Sequence, residues 1–475
     1  FGSSFFPLRT NLPYARLNSV HHLQKAMASR SLICLTCLAI SSLSGVSSLR
    51  TKLDSGPFRQ PLGNLQDLQY YGSISIGGQT LAGILDTGSF EIVTFSSNCP
   101  TCGIAGQYNE KASSTFKQGS LTQVHAYGSG SCRASDAFDT VSIGSDNIPT
   151  QALWLAQDCD MPLLQQASFQ AIVGLGPPGQ PEYVAAKQLQ EILQAEAADP
   201  TSDDLKRLHA TVQQELKIAK SKRSLLENLG VQVFSTCLGK AKGSPGWLIW
   251  KDQTREKAAG VRKIPVVGNI TWGVKLTDLV LDTDEGIAIG CKDGCGAIVD
   301  TGTSLFAVPT EIYDQVVSAI VSLQTRGLVP ADCADLRSFP DLVMNVGGQE
   351  LRFPPSSYIG KFYGQAAHEV ARFIRSNNTL NCELLMMDLG PEQRTSLGPM
   401  VILGMPFFRQ YYTTFALGAR GHRNIFISNA DDSCNPIEQV STHAVRSAEA
   451  WKPRWVDVSK LRVPHWAAGS TVKDL

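Results

Sequence analysis

Ile84-Leu85-Asp86-Thr87-Gly88-Ser89 and Ile298-Val299-Asp300-Thr301-Gly302-Thr303 read almost alike, although they lie 214 residues apart. Each sets an aspartate after two apolar residues and before Thr-Gly-Ser/Thr. Average composition produces one Asp-Thr-Gly-Ser/Thr string by accident in about one chain in a hundred of this length. Two, each with an aliphatic lead-in, are rarer still. Two carboxylates brought close cannot both ionise cheaply, so one keeps its proton while its neighbour acts as a base. Such a pair can activate a water and polarise a carbonyl without a metal or a covalent intermediate. Asp86 and Asp300 are therefore the first candidates for chemistry.

Around each motif the pattern is β. Tyr70 to Ile76 alternates, Gly77-Gly78 marks a tight turn, and Leu81 to Leu85 returns as an apolar strand. A similar texture recurs from Ile264 to Leu281 and from Glu285 to Val299. A later aliphatic-aliphatic-Gly follows each aspartate, at Ile172-Val173-Gly174 and Ile402-Leu403-Gly404. The chain thus reads as a diverged tandem duplication. One stretch breaks the texture. Residues 182–229 are rich in charge, Ala, Leu and Gln, with Val184, Leu189, Ile192 and Leu193 at helical spacing. Pro200-Thr201-Ser202-Asp203-Asp204 interrupts them, and Leu205, Leu208, Val212 and Leu216 resume the period. This predicts a helical hairpin inserted between strands. It reads as a solvated decoration, or alternatively as a cleavable element through the basic run Lys217 to Arg223.

The chain has 475 residues, too many for one ordinary core, so at least two lobes are expected. Forty-two basic and forty-two acidic residues cancel, which points away from nucleic acid or an anionic surface as partner. Apolar residues make up 43% and charged residues 18%, a globular balance. Residues 1–26 read as an upstream leader of doubtful relevance. From Met27 a basic start, the apolar run Leu32 to Leu43 and Gly45-Val46-Ser47 read as a secretory signal over 27–47. The run is short for a membrane anchor, the competing reading, and no stable span is expected once the signal is removed. Secretion favours disulfides. Of twelve cysteines, Cys34 and Cys37 fall in the signal, leaving ten. Cys99/Cys102 and Cys291/Cys295 are spaced to close tight loops, and Cys333 and Cys382 flank a loop-rich stretch. Cys132, Cys159, Cys237 and Cys434 have no assignable partner. A redox or zinc role for Cys99-Pro-Thr-Cys102 lacks a second Cys-x-x-Cys or a spaced His pair in the mature chain. His368-Glu369-Val370-Ala371-Arg372 misses a zinc-protease signature by one residue and reads as a surface helix. No metal and no cofactor is expected. Asn269 and Asn377 begin glycosylation sequons.

These residues together resemble the pepsin-like aspartic proteases over roughly Leu65 to Ser428. The second motif of that family is met in full at Ile298 to Ser304. His125-Ala126-Tyr127-Gly128-Ser129 stands where the family carries a flap with a Tyr followed by Gly. Phe169 to Gly176, with Ile172, resembles the strand lining the first substrate pocket. Cys291 to Cys295 resembles the small disulfide loop before the second aspartate. Phe339-Pro340-Asp341-Leu342 and Leu403 to Tyr412 resemble later landmarks. The resemblance implies an all-β, bilobal architecture, two barrel-like lobes around a cleft, with Asp86 and Asp300 at its floor. It implies dyad support from Thr87, Gly88, Ser89, Thr301, Gly302 and Thr303, with Ser89 and Thr303 donating to the outer carboxylate oxygens. It implies substrate contacts from Tyr127, Gly128, Ser129, Phe169, Ile172 and Ser304. The expected activity is endopeptidase action on extended peptides by a monomer, outside the cell or in an acidic compartment. The competing function is a pepsin-fold binding protein with weak or lost catalysis, and a further one is an enzyme active only after the 182–229 insert is cut.

Expected domains are a short pro or linker segment over 48–64, a first lobe over 65–245, a second over 246–434 and a tail over 435–475 holding three Trp and several basic residues. There are departures. The family usually has Trp where Val93 stands, supporting the flap Tyr. Gln170-Ala171 replaces Asp-Gly, and Gly246 to Asp252 lacks the common Gly-Gly-Asp ending. Only Leu49 to Pro61 is available for the inhibitory prosegment that members often carry.

Overall fold

A computed structural model describes residues 57–375, 382–391, 393–418, 422–437 and 448–468. The leader, the secretory signal, Asn377 and the last residues from 469 lie outside the described residues.

The aliphatic lead-ins form the innermost strands. Gln79–Asp86 runs parallel to Ala171–Gly174, with Leu85 opposite Val173 and Asp86 opposite Gly174. Cys295–Val299 runs parallel to Gly398–Leu403, with Ile298 opposite Ile402 and Val299 opposite Leu403. The two aliphatic-aliphatic-Gly stretches thus occupy equivalent places, as a duplication requires. Strands buried on both faces read as unbroken apolar runs, and every residue of Cys295–Val299 is buried.

Among the described residues the strands fall into sheets of thirteen, nine and three. The framework is all-β and bilobal. The largest sheet carries the first aspartate strand in its interior, between Gln69–Ile76 and Ala171–Gly174. Toward one edge Phe58–Leu65, Gly246–Trp250, Val233–Leu238, Tyr411–Ala416 and Asn424–Asn429 pair in turn, drawing on both halves of the chain. Phe58–Leu65 forms a strand of this sheet, although residues 58–64 were expected to lie in a linker. Phe234, Trp272 and Phe415 pack here with ring centroids 4.9 to 6.1 Å apart. Trp272 Nε1 donates to Leu175 O at 2.9 Å.

The insert is helical over Gln180–Ala198, Asp203–Ser221 and Leu225–Leu229. Ser202 caps the second helix by accepting from Leu205 N, with Asp203 and Asp204 in its first turn. Ser224 and Glu227 form a capping box for the third, and Gly230 ends it in a left-handed conformation. Lys217 to Ser221 lies within a regular helix, and Lys222 pairs with Asp136 at 3.2 Å with both side chains largely buried. The basic run is thus structured and anchored.

Five disulfides join Cys99–Cys102, Cys132–Cys159, Cys237–Cys434, Cys291–Cys295 and Cys333–Cys382. The pairings at Cys132 and Cys237 link positions far apart in sequence, which spacing alone left open. No described helix is long and apolar enough to cross a membrane.

Candidate active site

Each Asp-Thr-Gly loop is held by the other. Thr87 N donates to Thr301 Oγ1 at 2.9 Å, and Thr301 N donates to Thr87 Oγ1 at 2.9 Å. Each hydroxyl donates onward across the pair, Thr87 to Val299 O at 2.9 Å and Thr301 to Leu85 O at 2.6 Å. The four bonds satisfy buried groups reciprocally and clamp the loops.

The glycines set the approach. A Cβ on Gly88 would lie 2.6 Å from Asp300 Cγ, and one on Gly302 would lie 2.3 Å from Asp86 Oδ1. Each glycine is thus the surface against which the opposite carboxylate rests. Gly88 N donates to Asp86 Oδ1 at 2.9 Å and Gly302 N to Asp300 Oδ1 at 2.7 Å. Both aspartates are buried. Burial first, then the neighbouring Asp86 carboxylate, push the Asp300 carboxyl up to about 7, against opposing hydrogen bonds from Thr303 and Gly302.

The outer oxygens differ. Thr303 Oγ1 donates to Asp300 Oδ2 at 2.6 Å. Ser89 does not do the same for Asp86, because its Oγ is buried without a hydrogen-bond partner. Asp86 Oδ2 accepts instead from Arg462 Nη2 at 3.1 Å.

Tyr127 and Gly130 pair at the end of the hairpin formed by Lys117–Tyr127 and Gly130–Ile143, leaving Gly128-Ser129 at its tip. Tyr127 is buried in one cluster with Val93, Trp154, Phe169 and Ile172. Burial, with Asp86 nearby, raises its phenol. Val93 lies opposite Trp154 in register. The Trp154 ring sits 4.7 Å from His125, and Lys222 Nζ lies 4.4 Å from its centroid. A tryptophan from a neighbouring strand thus backs the flap where Val93 cannot. Gln170 Oε1 accepts from Ala82 N at 2.9 Å, so this departure is built into the sheet. Ser304 Oγ donates to Leu68 O at 2.7 Å. Asn269 is exposed and distant in sequence from both loops. The one metal-capable cluster among the described residues is Cys99, Cys102 and Cys159, and all three are in disulfides.

Sequence reasoning missed Arg462, His465, Trp154 and Lys222. Only the basic and aromatic character of Arg462-Val463-Pro464-His465-Trp466 signalled the first two. Nothing in the local sequence couples that stretch to Asp86.

A family model described as eukaryotic aspartyl protease matches residues 69–423. Pepsin A of Bos taurus is 30% identical over 365 residues, covering 76% of this chain and 84% of that protein. Pepsin A of Sus scrofa is 30% identical over 363 residues, covering 75% and 80%. Pepsin-2B of Gadus morhua is 28% identical over 358 residues, covering 74% and 94%. With the duplicated aspartate strands and the interlocked loops, the match over residues 69–423 shows that the chain belongs to the eukaryotic aspartyl protease family.

Proposed function

We propose that the chain is an aspartic endopeptidase in which Asp86 and Asp300 share one proton and activate a water against a peptide carbonyl. The carrying observation is that each motif glycine lies against the opposite aspartate, which holds the two buried carboxyls as a facing pair. The raised Asp300 carboxyl keeps its proton throughout the acid range and donates it to the carbonyl oxygen. Asp86 takes a proton from the attacking water. The tetrahedral intermediate collapses as the Asp86 proton passes to the leaving amine and Asp300 recovers one from the intermediate's hydroxyl. The titration steps belong to the pair rather than to either residue.

Tyr127, with Gly128 and Ser129 at the hairpin tip, closes over the peptide and excludes bulk water. Ser304 supplies main-chain and hydroxyl bonds to the extended substrate, and Phe169 and Ile172 favour apolar side chains beside the scissile bond. Thr87 and Thr301 hold the loops, and Thr303 tunes Asp300 through its hydrogen bond. The five disulfides and the likeness to pepsins support an oxidising, secretory route ending outside the cell or in an acidic compartment. Peptides and proteins are the substrates, and the working unit is a monomer.

The test is hydrolysis of a fluorogenic peptide library from about pH 3 to 7, where carboxylates and a perturbed pair titrate. It is run on intact and on nicked protein. Hydrolysis should be blocked by a statine-containing peptide and should fall roughly 10²- to 10⁴-fold in Asp86→Ala. Unchanged turnover in that variant would refute the mechanism.

A further inference from the structure

We propose that residues 454–467 form an inhibitory strap lying in the peptide cleft, with Arg462 blocking the aspartate pair, a proposal that rests on the endopeptidase reading. The main chain of 462–464 is bonded from both sides. Arg462 N donates to Ser304 Oγ at 2.9 Å, and Arg462 O accepts from Ser304 N at 3.1 Å. Val463 N donates to Ser129 Oγ at 2.9 Å, and Pro464 O accepts from Gly128 N at 3.2 Å. This is how an extended peptide is held between a cleft floor and a hairpin. A Cβ on Gly128 would lie 2.3 Å from Val463 Cγ1, so the hairpin tip rests directly on the strap. The His465 ring lies 5.7 Å from Tyr127, and Trp466 packs 5.7 Å from Phe90.

The strap engages groups that hydrolysis needs. The Arg462 guanidinium takes Asp86 Oδ2, and the side chains of the pair are 6% and 4% exposed. In this state Ser89 Oγ has no partner, whereas Thr303 supports Asp300. While the strap is in place, the outer oxygen of Asp86 is thus held by Arg462 rather than by Ser89. A peptide substrate would have to displace Val463 and Pro464 from the hairpin tip before reaching the carboxylates.

Anchors on both sides of the cleft explain why the strap docks. Arg454–Asp457 pairs in parallel with Ile359–Tyr363. Arg454 Nη1 pairs with Asp67 at 2.9 Å. Gln69 Nε2 donates to Lys460 O at 2.9 Å. Val456, Val458, Leu461, Val463 and Trp466 are all buried. Burying apolar side chains drives docking, while the buried Arg–Asp pair contributes register more than net stability.

The test uses the full chain with a site-specific protease sequence inserted between Ile437 and Glu449. Affinity for a fluorescent statine-containing peptide is read by polarisation before and after cutting and dilution, beside turnover of a fluorogenic peptide. If docking leaves about one molecule in a hundred open, cutting strengthens apparent affinity about a hundredfold. The uncut Arg462→Ala variant should bind the probe more tightly than the parent. A synthetic peptide spanning 454–467 should compete with the probe on the cut protein, and its Arg462→Ala form should compete less. The strap is overturned if neither cutting nor Arg462→Ala strengthens binding, or if cutting abolishes it. Probe binding that opens without turnover keeps the strap and removes the endopeptidase reading. Equal turnover and equal probe binding before and after cutting, and in Arg462→Ala, remove the strap and keep that reading.

Discussion

At the scale of single residues, the site is governed by what sits against each carboxylate. Gly302→Ala would drive a methyl into Asp86, because a Cβ there meets Oδ1 at 2.3 Å. Loss of about 10²-fold in kcat is expected with the fold retained, read by kinetics beside circular dichroism. Thr87→Val removes a hydroxyl that both donates and accepts, leaving Val299 O and Thr301 N unpaired in a buried place. That should destabilise by about 2–4 kcal/mol in denaturant unfolding. Adding Thr301→Val should cost less than a second equal loss, because the two hydroxyls share one network. Asp300 carries a pH signature. Burial and the neighbouring Asp86 push its carboxyl up to about 7, so the folded pair binds a proton that the unfolded chain releases earlier. Its stabilisation is full below about pH 4 and is lost as pH rises through about 7. The parent should therefore lose up to about 1.4 kcal/mol per pH unit across that window relative to Asp300→Asn. Parallel stability curves would contradict it.

At the scale of elements, the hairpin over the cleft is braced from behind and occupied from below. Lys222 ties the end of the helical insert to Asp136, which also accepts from Leu121 N at 2.7 Å. Lys222→Met leaves a buried carboxylate uncompensated and should cost about 3 kcal/mol or more, seen as a lower melting temperature. The strap itself should respond to acid. Burial holds His125 down to about 3, with His465 a further cause, and burial holds His465 below its ordinary value. Facing these rings are Lys222, Asp86 and the backbone of Ala126, with Arg462 and Tyr127 alongside. Released from the docked state, the His465 ring leaves its buried place and regains an ordinary titration near about 6.5, while His125 loses one of the causes that lower it. Docking is then complete above that pH and weakens as pH falls, because only the released form takes up the protons. The difference in probe affinity between uncut and cut chain should shrink from neutral toward acid pH, with a shallower slope in His465→Gln. An unchanged difference across that range would contradict it.

At the scale of the whole molecule, strands from the first and last parts of the chain share one sheet, and a long-range disulfide fastens them. Cys237–Cys434 closes a loop of 197 residues. Replacing both cysteines by serine should cost about 2–5 kcal/mol, measured by unfolding of oxidised protein. Much of this architecture was legible beforehand, for particular reasons. The aspartate loops are dense in rare local chemistry, and the insert changes period from two to helical spacing. The break at Pro200 to Asp204 falls where the first helix ends and Ser202 caps the second, whereas the short third helix, capped at Ser224, was not expected. Residues 58–64 read as linker because the partner strand Gly246–Trp250 lies far along the chain. Ser89 was expected to support Asp86, but its Oγ has no partner and Asp86 Oδ2 accepts from Arg462.

What the sequence determined by itself is local and repetitive: apolar runs that must be buried strands, glycines that allow close approach, and two aspartates set at the ends of equivalent strands. What only the tertiary structure decided is which distant side chains meet there. Arg462 stands 376 residues from Asp86. Their contact depends on how Arg454–Asp457 pairs with Ile359–Tyr363 and how the following residues cross the cleft. Local propensity carries no information about such a meeting. It follows from the burial of apolar side chains and the satisfaction of main-chain groups over the whole folded surface.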